Sequence, residues 1–170
     1  LFLKSQLNYQ NNLQNYTNNA LINSYYKNTF LSNSSQLNYS KNNNKFISGY
    51  EISYSALYSN ETESDVSRIQ TSLFGISEIN LNDQIRIFPS VRADNISDID
   101  KTVFTGKFGL NINPIKDKKF NIKASAGNNF ASPTFNELYW KDLGNLNLIP
   151  ETSFNFDAGF IYGFEMISSN

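Results

Sequence analysis

The stretch SFNFDAGFIYGF, residues 153–164, decides the fold class because its side chains alternate in polarity. Its even-numbered positions carry aromatic rings or alanine, and its odd-numbered positions carry mainly small or polar side chains. Successive side chains of a β-strand point to opposite faces, whereas a helix returns to the same face every 3.6 residues. The stretch therefore predicts a strand with one aromatic and one polar face.

The same period of two recurs along the chain. It is clear in residues 47–58, 102–112 and 120–126, holds in residues 85–92 except at Phe88 and Pro89, and is weaker in residues 1–9, 28–40 and 65–81. We expect about eight strands and no helix. Several of these segments reach the roughly 9 to 11 residues that a tilted strand needs to cross a bilayer.

Composition excludes several classes of function. The 170 residues include no Cys and no His, so disulfides, thiolate zinc sites and histidine-dependent catalysis are excluded. A net charge of -1 argues against a nucleic-acid partner, because neutralising phosphates needs a basic surface. No glycine-rich phosphate loop follows a strand, and no nucleophile has a base to activate it. We therefore expect no enzyme and no cofactor.

The connections between the predicted strands alternate in length. Short polar turns are predicted at residues 41–44, 82–84 and 113–118. Longer segments are predicted at residues 10–27, 60–65, 94–100 and 128–149. An antiparallel meander of this kind places all its long connections at one end, as outer-membrane barrels do. The predicted fold class is all-β, an antiparallel up-and-down transmembrane β-barrel segment.

Four sequence elements in series carry a family resemblance. A strand-turn-strand ends in VRADN (residues 91–95), and the next strand closes on NPI (residues 113–115). The blocks SAGNNFASPTFNELYW (residues 125–140) and GNLNLIPE (residues 144–151) follow. In order and spacing these elements resemble the barrel of TonB-dependent outer-membrane receptors. Ala93 departs from the family, which usually has Tyr there.

The resemblance implies more than the fold. It implies a 22-stranded barrel in the bacterial outer membrane, of which this chain would supply about eight strands in contact with lipid. The chain begins at Leu1, and we expect the plug domain and the C-terminal closing strand to be absent from it. The resemblance also implies active import of a scarce solute, such as a siderophore, vitamin B12, haem or an oligosaccharide. The TonB energy-coupling complex would act through the missing plug.

Seven motif residues are predicted to build the base of a loop. Pro133 and Pro150 lack an N–H and so belong where strands give way to a loop. Glu137 and Glu151 could accept backbone N–H bonds and pin that base, and Gly127 would permit a backbone that other residues resist. Phe130 and Tyr139 complete the motif. We favour a scaffolding role over ligand contact, because a motif shared by receptors for different solutes is not suited to recognising one particular solute.

The candidates for facing the substrate are Arg86, Arg92, Tyr139 and Trp140. The two arginines belong to a predicted polar lining that also contains Glu51, Lys107, Lys119, Lys123, Asp157 and Glu165. This lining could attract an anionic metal chelate, although its mixed signs more simply indicate salt-bridged packing. Tyr139 and Trp140, like Tyr25 and Tyr26, could stack on a macrocycle or sugar ring, or belong to an interfacial girdle.

No metal site is predicted. Asp83, Asp94, Asp98 and Asp100 invite a calcium interpretation, but their spacing does not match a calcium loop and a solvated acidic loop is the simpler interpretation.

Two alternatives remain open at this stage. A small eight-stranded outer-membrane structural or adhesin barrel would pair residues 1–9 with residues 151–164, but its interior should carry bulky side chains. The Gly and Ser residues at the alternate, polar positions of the strands are small and favour a wide lumen instead. A soluble carbohydrate-binding β-sandwich is the other alternative, since alternation fits any antiparallel sheet with one buried face.

Overall fold

The computed structural model describes residues 1–18, 22–115 and 120–163. These residues form eight strands and one short helix. The elements are β1 (Phe2–Asn18), β2 (Ile22–Lys41), β3 (Asn44–Ser59), β4 (Val66–Asn80), β5 (Ile85–Ile96), β6 (Lys101–Ile112), β7 (Phe120–Ala131), α1 (Phe135–Tyr139) and β8 (Glu151–Tyr162).

The strands form a single sheet in chain order, and every neighbouring pair is antiparallel. The predicted all-β, antiparallel up-and-down fold is therefore confirmed. Among the described residues, β1 pairs only with β2 and β8 only with β7, so the sheet is open. The closure of residues 1–9 on residues 151–164, which the small-barrel alternative requires, is not formed.

The two faces of the sheet differ in chemistry, as the alternation predicts. Tyr54, Phe108, Phe156 and Phe160 share one face, which we call the aromatic face, and are 41%, 50%, 68% and 74% exposed. No second layer of the described chain covers them. The other face, the polar face, carries side chains that pair with one another, and its Asp94 is 0% exposed. Phe164, Lys119 and Glu165 lie outside the described residues.

The two ends of the sheet also differ. The strand ends joined by the β2–β3, β4–β5 and β6–β7 connections lie at one end, the turn end, and those joined by the β1–β2, β3–β4, β5–β6 and β7–β8 connections lie at the other, the loop end. The assignment of connections to ends is as predicted, but three of the predicted long segments are too long. Residues 10–27 mostly continue the β1–β2 ladder, residues 94–96 belong to β5, and residues 128–131 belong to β7. Polar residues can extend a ladder because its hydrogen bonds come from the backbone.

The β2–β3 turn has a local cause. Asn42 and Asn43 both have positive φ, at 49° and 64°. A two-residue hairpin turn matches the twist of its strands best when both residues are left-handed, and Asn tolerates that conformation. The tight turn predicted at residues 41–44 follows from this pair.

The expectation of no helix is wrong, because Phe135–Tyr139 form α1 in the β7–β8 connection. Thr134 accepts a hydrogen bond from the Glu137 N–H, and the Glu137 side chain accepts one from the Thr134 N–H. This reciprocal capping box supports even a single turn. Within the described part of the chain, no helix is long and apolar enough to cross a membrane.

Candidate functional site

The loop end is a hydrogen-bonded platform. The β7–β8 connection docks on the β3–β4 connection through backbone bonds: Lys141 N donates to Glu61 O (2.9 Å), and Glu63 N donates to Tyr139 O (3.4 Å). Between them, Thr62 and Trp140 form an isolated antiparallel bridge. These bonds fix the long connection over residues that are distant in sequence, so α1 has a defined position above the loop end.

A buried ion pair holds the start of this connection. Arg68 on β4 donates from Nε to Asp98 Oδ1 (2.6 Å) and from Nη2 to Asp98 Oδ2 (2.8 Å), and Nη2 also donates to the carbonyl of Pro133 (2.8 Å). The Arg68 and Asp98 side chains are 13% and 5% exposed. Two-point geometry of this kind gives strength and orientation together. We call Arg68, Asp98 and Pro133 the loop anchor.

The loop anchor also positions two rings of α1. The Arg68 guanidinium lies 5.1 Å from the centre of the Phe135 ring, a cation–π distance. Tyr139 packs on Phe135 at 6.2 Å and donates from its hydroxyl to Asp98 Oδ2 (3.4 Å). Partial burial raises the pKa of Tyr139, and the negative charge of Asp98 raises it further. The hydroxyl therefore stays protonated and able to donate.

The capping box makes the loop sensitive to acid. The Thr134 backbone N–H (2.7 Å) and hydroxyl (2.9 Å) both donate to Glu137 Oε2, and these bonds hold the pKa of Glu137 below its ordinary value, the backbone bond most. A carboxyl with a depressed folded pKa contributes stability above its unfolded pKa and loses it as the pH falls through the folded pKa. We predict that the protection of the Thr134 and Glu137 amides against hydrogen exchange decreases as the pH falls from the ordinary pKa of a Glu carboxyl to the lower pKa of Glu137.

Hydrogen exchange of these two amides at a series of pH values measures the effect. In Glu137→Gln, which keeps an acceptor but has no titrating group, the change should be absent. An equal pH dependence in both proteins would contradict the assignment to Glu137.

Position 127 requires glycine because there is no space for a side chain, and not because its backbone conformation is unusual. No described glycine has positive φ, so the prediction that Gly127 permits an unusual backbone is wrong. A Cβ at Gly127 would lie 2.8 Å from Gly106 O and 3.0 Å from Lys107 Cβ. The close approach of β6 and β7 is therefore what excludes a side chain there.

The remaining motif residues occupy different places. Pro133 is buried after the end of β7, and Pro150 directly precedes β8, so both lie where strands give way to the loop. Phe130 is half-buried on β7. Glu151 begins β8 opposite Ala131, and its carboxylate makes no hydrogen bond to the described part of the chain. Its predicted pinning role therefore has no contact here to support it.

Arg92 lies in a second cluster, on the polar face near the middle of β5. Its Nε donates to both oxygens of Asp94 (3.0 and 2.9 Å), and its Nη2 donates to Ser72 Oγ (2.7 Å) and Glu51 Oε2 (3.2 Å). Ser72 and Gln70 also donate to Asp94 Oδ1, at 2.6 and 3.0 Å. We call these five residues the wall cluster. The buried carboxylate of Asp94 therefore has all its hydrogen-bond donors within this cluster.

Arg86 lies far from the loop end. It pairs with Glu78 (3.1 Å) and donates to Asn80 Oδ1 (2.8 Å) near the turn end. At about 3.3 Å per residue, the twelve positions from Arg86 to Asp98 span roughly 40 Å. The four candidates for substrate contact are therefore not brought together. Tyr139 and Trp140 lie at the loop end, Arg92 in the wall and Arg86 near the opposite end.

The other predicted polar residues show less pairing. Within the described ranges, Lys107 and Lys123 make no ion pair, and Asp157 accepts a hydrogen bond from the Ser125 hydroxyl. The four aspartates do not converge: Asp94 belongs to the wall cluster and Asp98 to the loop anchor. No group of three potential metal ligands occurs among the residues that the structure describes.

Two neighbouring tyrosines at the loop end are divided between the faces. Tyr25 packs edge-on against Tyr58 on the aromatic face, with ring centres 5.7 Å apart. Tyr26 lies opposite Gln14 on the polar face. The sequence predicts both as loop residues. Because β2 begins at Ile22, the two rings belong to a strand and must point in opposite directions.

Arg68, Gln70 and Ser72 were absent from the sequence-based candidates. They occupy alternate positions of β4 and share the polar face, so the alternation of the sequence could have placed them there. Their partners Asp98 and Asp94 lie on or after β5, so only the strand register brings each pair together.

The chain matches a known protein family over almost its whole length. A family model described as "TonB dependent receptor-like, beta-barrel" matches residues 2–169. The vitamin B12 transporter BtuB of Vibrio vulnificus is 44% identical over 70 residues, which cover 41% of this chain and 11% of the relative. The vitamin B12 transporter BtuB of Photobacterium profundum is 56% identical over 36 residues, which cover 21% of the chain and 6% of the relative.

Two solved structures have a similar fold. The siderophore receptor PirA from Pseudomonas aeruginosa matches with a TM-score of 0.75 and 21% identity, over 95% of this chain and 32% of that one. The copper transporter OprC matches with a TM-score of 0.76 and 12% identity, over 96% of this chain and 33% of that one. At these identities the likeness concerns the fold alone. The chain thus spans about a third of each structure and a smaller part of each B12 transporter.

Proposed function

Because the chain belongs to the TonB-dependent receptor-like β-barrel family, we propose that it forms part of the wall of a bacterial outer-membrane receptor that actively imports a scarce small solute. The family match over residues 2–169 carries this proposal. The exposed aromatic face supports it, since a lipid-facing wall needs an apolar exterior. The wall would satisfy its backbone bonds between strands and do no covalent chemistry.

The barrel would be completed by strands outside this chain. The edges of β1 and β8 are unpaired in the described sheet, and unpaired backbone groups cannot face lipid. The chain also covers only about a third of the two similar structures. We propose that it supplies eight of 22 strands. A plug domain from the same polypeptide would link the barrel to TonB.

In this arrangement each part of the structure has a role. The aromatic face contacts lipid, the polar face lines the lumen, and the loop end faces the outside of the cell. The loop anchor and the docked β7–β8 connection hold the outer opening in one shape. The platform could therefore receive a solute before the plug moves.

Vitamin B12 is the first solute to test, because both curated relatives are vitamin B12 transporters. In a host that lacks its own B12 receptor, we expect the complete receptor polypeptide to support uptake of labelled cyanocobalamin. An otherwise identical host without TonB is the control and should show no uptake above background.

Equal uptake with and without TonB would contradict the proposed coupling. Uptake of a ferric siderophore in place of cyanocobalamin would preserve the import function and reject the solute. Failure to import either would count against the proposal as a whole.

A further inference from the structure

A cavity of about 340 Å³ opens on the polar face at the loop end. It is lined by Gln14 on β1, Tyr26 and Asn28 on β2, and Phe135 and Asn136 of α1. The buried side chain of Leu57 on β3 also lines it, directly across the ladder from Asn28. We call this cavity the mouth pocket. Its volume lies within the range of small-molecule sites, roughly 300 to 1,000 Å³.

The polar groups of the mouth pocket are uncharged, and its amides are unpaired. Among the described residues, no charged side chain lines it. The solvent-exposed amides of Gln14, Asn28 and Asn136 make no side-chain hydrogen bond to any other described residue, so a ligand can bond them in place of water. Each amide offers both a donor and an acceptor. The pocket can therefore bond a neutral amide or hydroxyl but offers no countercharge to an anion.

The two rings give the pocket a second property. Tyr26 is half-buried in the wall, and its neighbours Gln14 and Asn28 are on the same face. Phe135 is already held by Arg68 at 5.1 Å and by Tyr139 at 6.2 Å, so its ring is positioned before any ligand arrives. Positioned rings bind ring-shaped ligands at little cost in conformational freedom.

We propose that the mouth pocket is a binding subsite for an uncharged, ring-shaped solute that carries amide or hydroxyl groups. The inference rests on the proposed import function and deepens it by naming the ligand class. It assigns contact to Tyr26 and Phe135, whereas Arg86 and Arg92 are engaged in ion pairs elsewhere. The loop anchor acts through Phe135 as a positioning group.

Calorimetric titration of the complete receptor tests the inference. The probes are cyanocobalamin, an uncharged amide-bearing macrocycle; maltohexaose, an uncharged sugar; and a ferric tris-catecholate, a trianion. We expect one of the two uncharged probes to bind and the trianion not to bind. Tyr26→Leu and Phe135→Leu, which come from separate elements, should each raise the Kd about three- to tenfold.

Tyr25→Leu is the matched control, because Tyr25 is the next residue and lies on the opposite face. It should change the Kd less than about twofold. Which uncharged probe binds distinguishes a macrocycle from a sugar. Equal Kd values for Tyr25→Leu and Tyr26→Leu, or binding of the trianion alone, would overturn the inference.

Uptake assays separate this failure from failure of the proposed function. If the trianion is imported with TonB and Tyr26→Leu does not affect it, import stands and the mouth pocket assignment falls. If none of the three probes binds or enters, both proposals fail.

Discussion

Replacing Arg92 by leucine is expected to destabilise the folded receptor by about 2 to 3 kcal/mol, less than for a fully buried ion pair because the Arg92 side chain is 34% exposed. The Asp94 carboxylate is 0% exposed and would keep only its bonds from Ser72 and Gln70. It would lose the guanidinium that neutralises it. Glu51 would lose the same partner at little cost, because its side chain is 38% exposed to solvent.

Urea unfolding of the receptor in lipid vesicles measures this change, from the shift in midpoint at constant slope. The double variant Arg92→Leu/Asp94→Asn should recover most of the loss, since an amide at position 94 carries no charge and can still accept from Ser72. Arg92→Lys should fall between them, because lysine keeps the charge but cannot make the forked contacts. If Arg92→Leu and the double variant were equally stable, the unpaired carboxylate would not be the cause.

The faces of the strands could be predicted from sequence, whereas their ends could not. Tyr54 and Phe160 were placed on one face from alternation alone, because side-chain identity decides which medium each face can meet. Leu13 and Lys27 were assigned to a loop because their surroundings are polar, yet they pair across the β1–β2 ladder. Backbone pairing does not require apolar side chains, so polarity is a weak signal for where a strand ends.

The short helix α1 has a sequence signal of its own. Thr134 and Glu137 have the spacing of a capping box, and the pattern was legible in the sequence. The strong strand pattern on both sides favoured an irregular connection instead. A single capped turn is too short to show the 3.6-residue helical period in the sequence.

The site depends on register, which sequence patterns leave open. Arg92 and Asp94 lie two residues apart on one strand, so their contact could have been inferred from spacing alone. The contact of Arg92 with Glu51 joins residues 41 positions apart, and that of Arg68 with Asp98 joins residues 30 apart. Only the pairing of β3, β4 and β5 brings these charges together. Asp98 was therefore considered as a calcium ligand when its partner is an arginine.

Placing an arginine on the aromatic face tests the orientation of the whole sheet. Phe160 on β8 is 74% exposed and packs at 6.2 Å against Phe120. If this face contacts hydrocarbon, Phe160→Arg should cost about 1 to 2 kcal/mol relative to Phe160→Ala, because Phe160 lies two residues from the turn end of β8 and a charge costs less there than at the bilayer midplane. The alanine variant removes the same ring, so the difference isolates the cost of the charge. Phe156, 68% exposed on the same face and at the middle of β8, should show the midplane cost of about 2 to 4 kcal/mol.

Gly159 provides the matched control, because it is the adjacent residue and belongs to the polar face. A Cβ built there meets no heavy atom of the described chain within 4 Å, so a side chain can begin there without a clash. Gly159→Arg should change the unfolding free energy by about 1 kcal/mol or less, because the position is solvated and its like-charged partner across the ladder, Lys123, is screened by water. Both variants are measured by unfolding from lipid vesicles of two acyl-chain lengths. The cost of Phe160→Arg should change with bilayer thickness only if lipid surrounds the ring, whereas a ring covered by more protein would give the same cost in both. A larger cost at Gly159 than at Phe160 would mean that the lumen and lipid faces are exchanged.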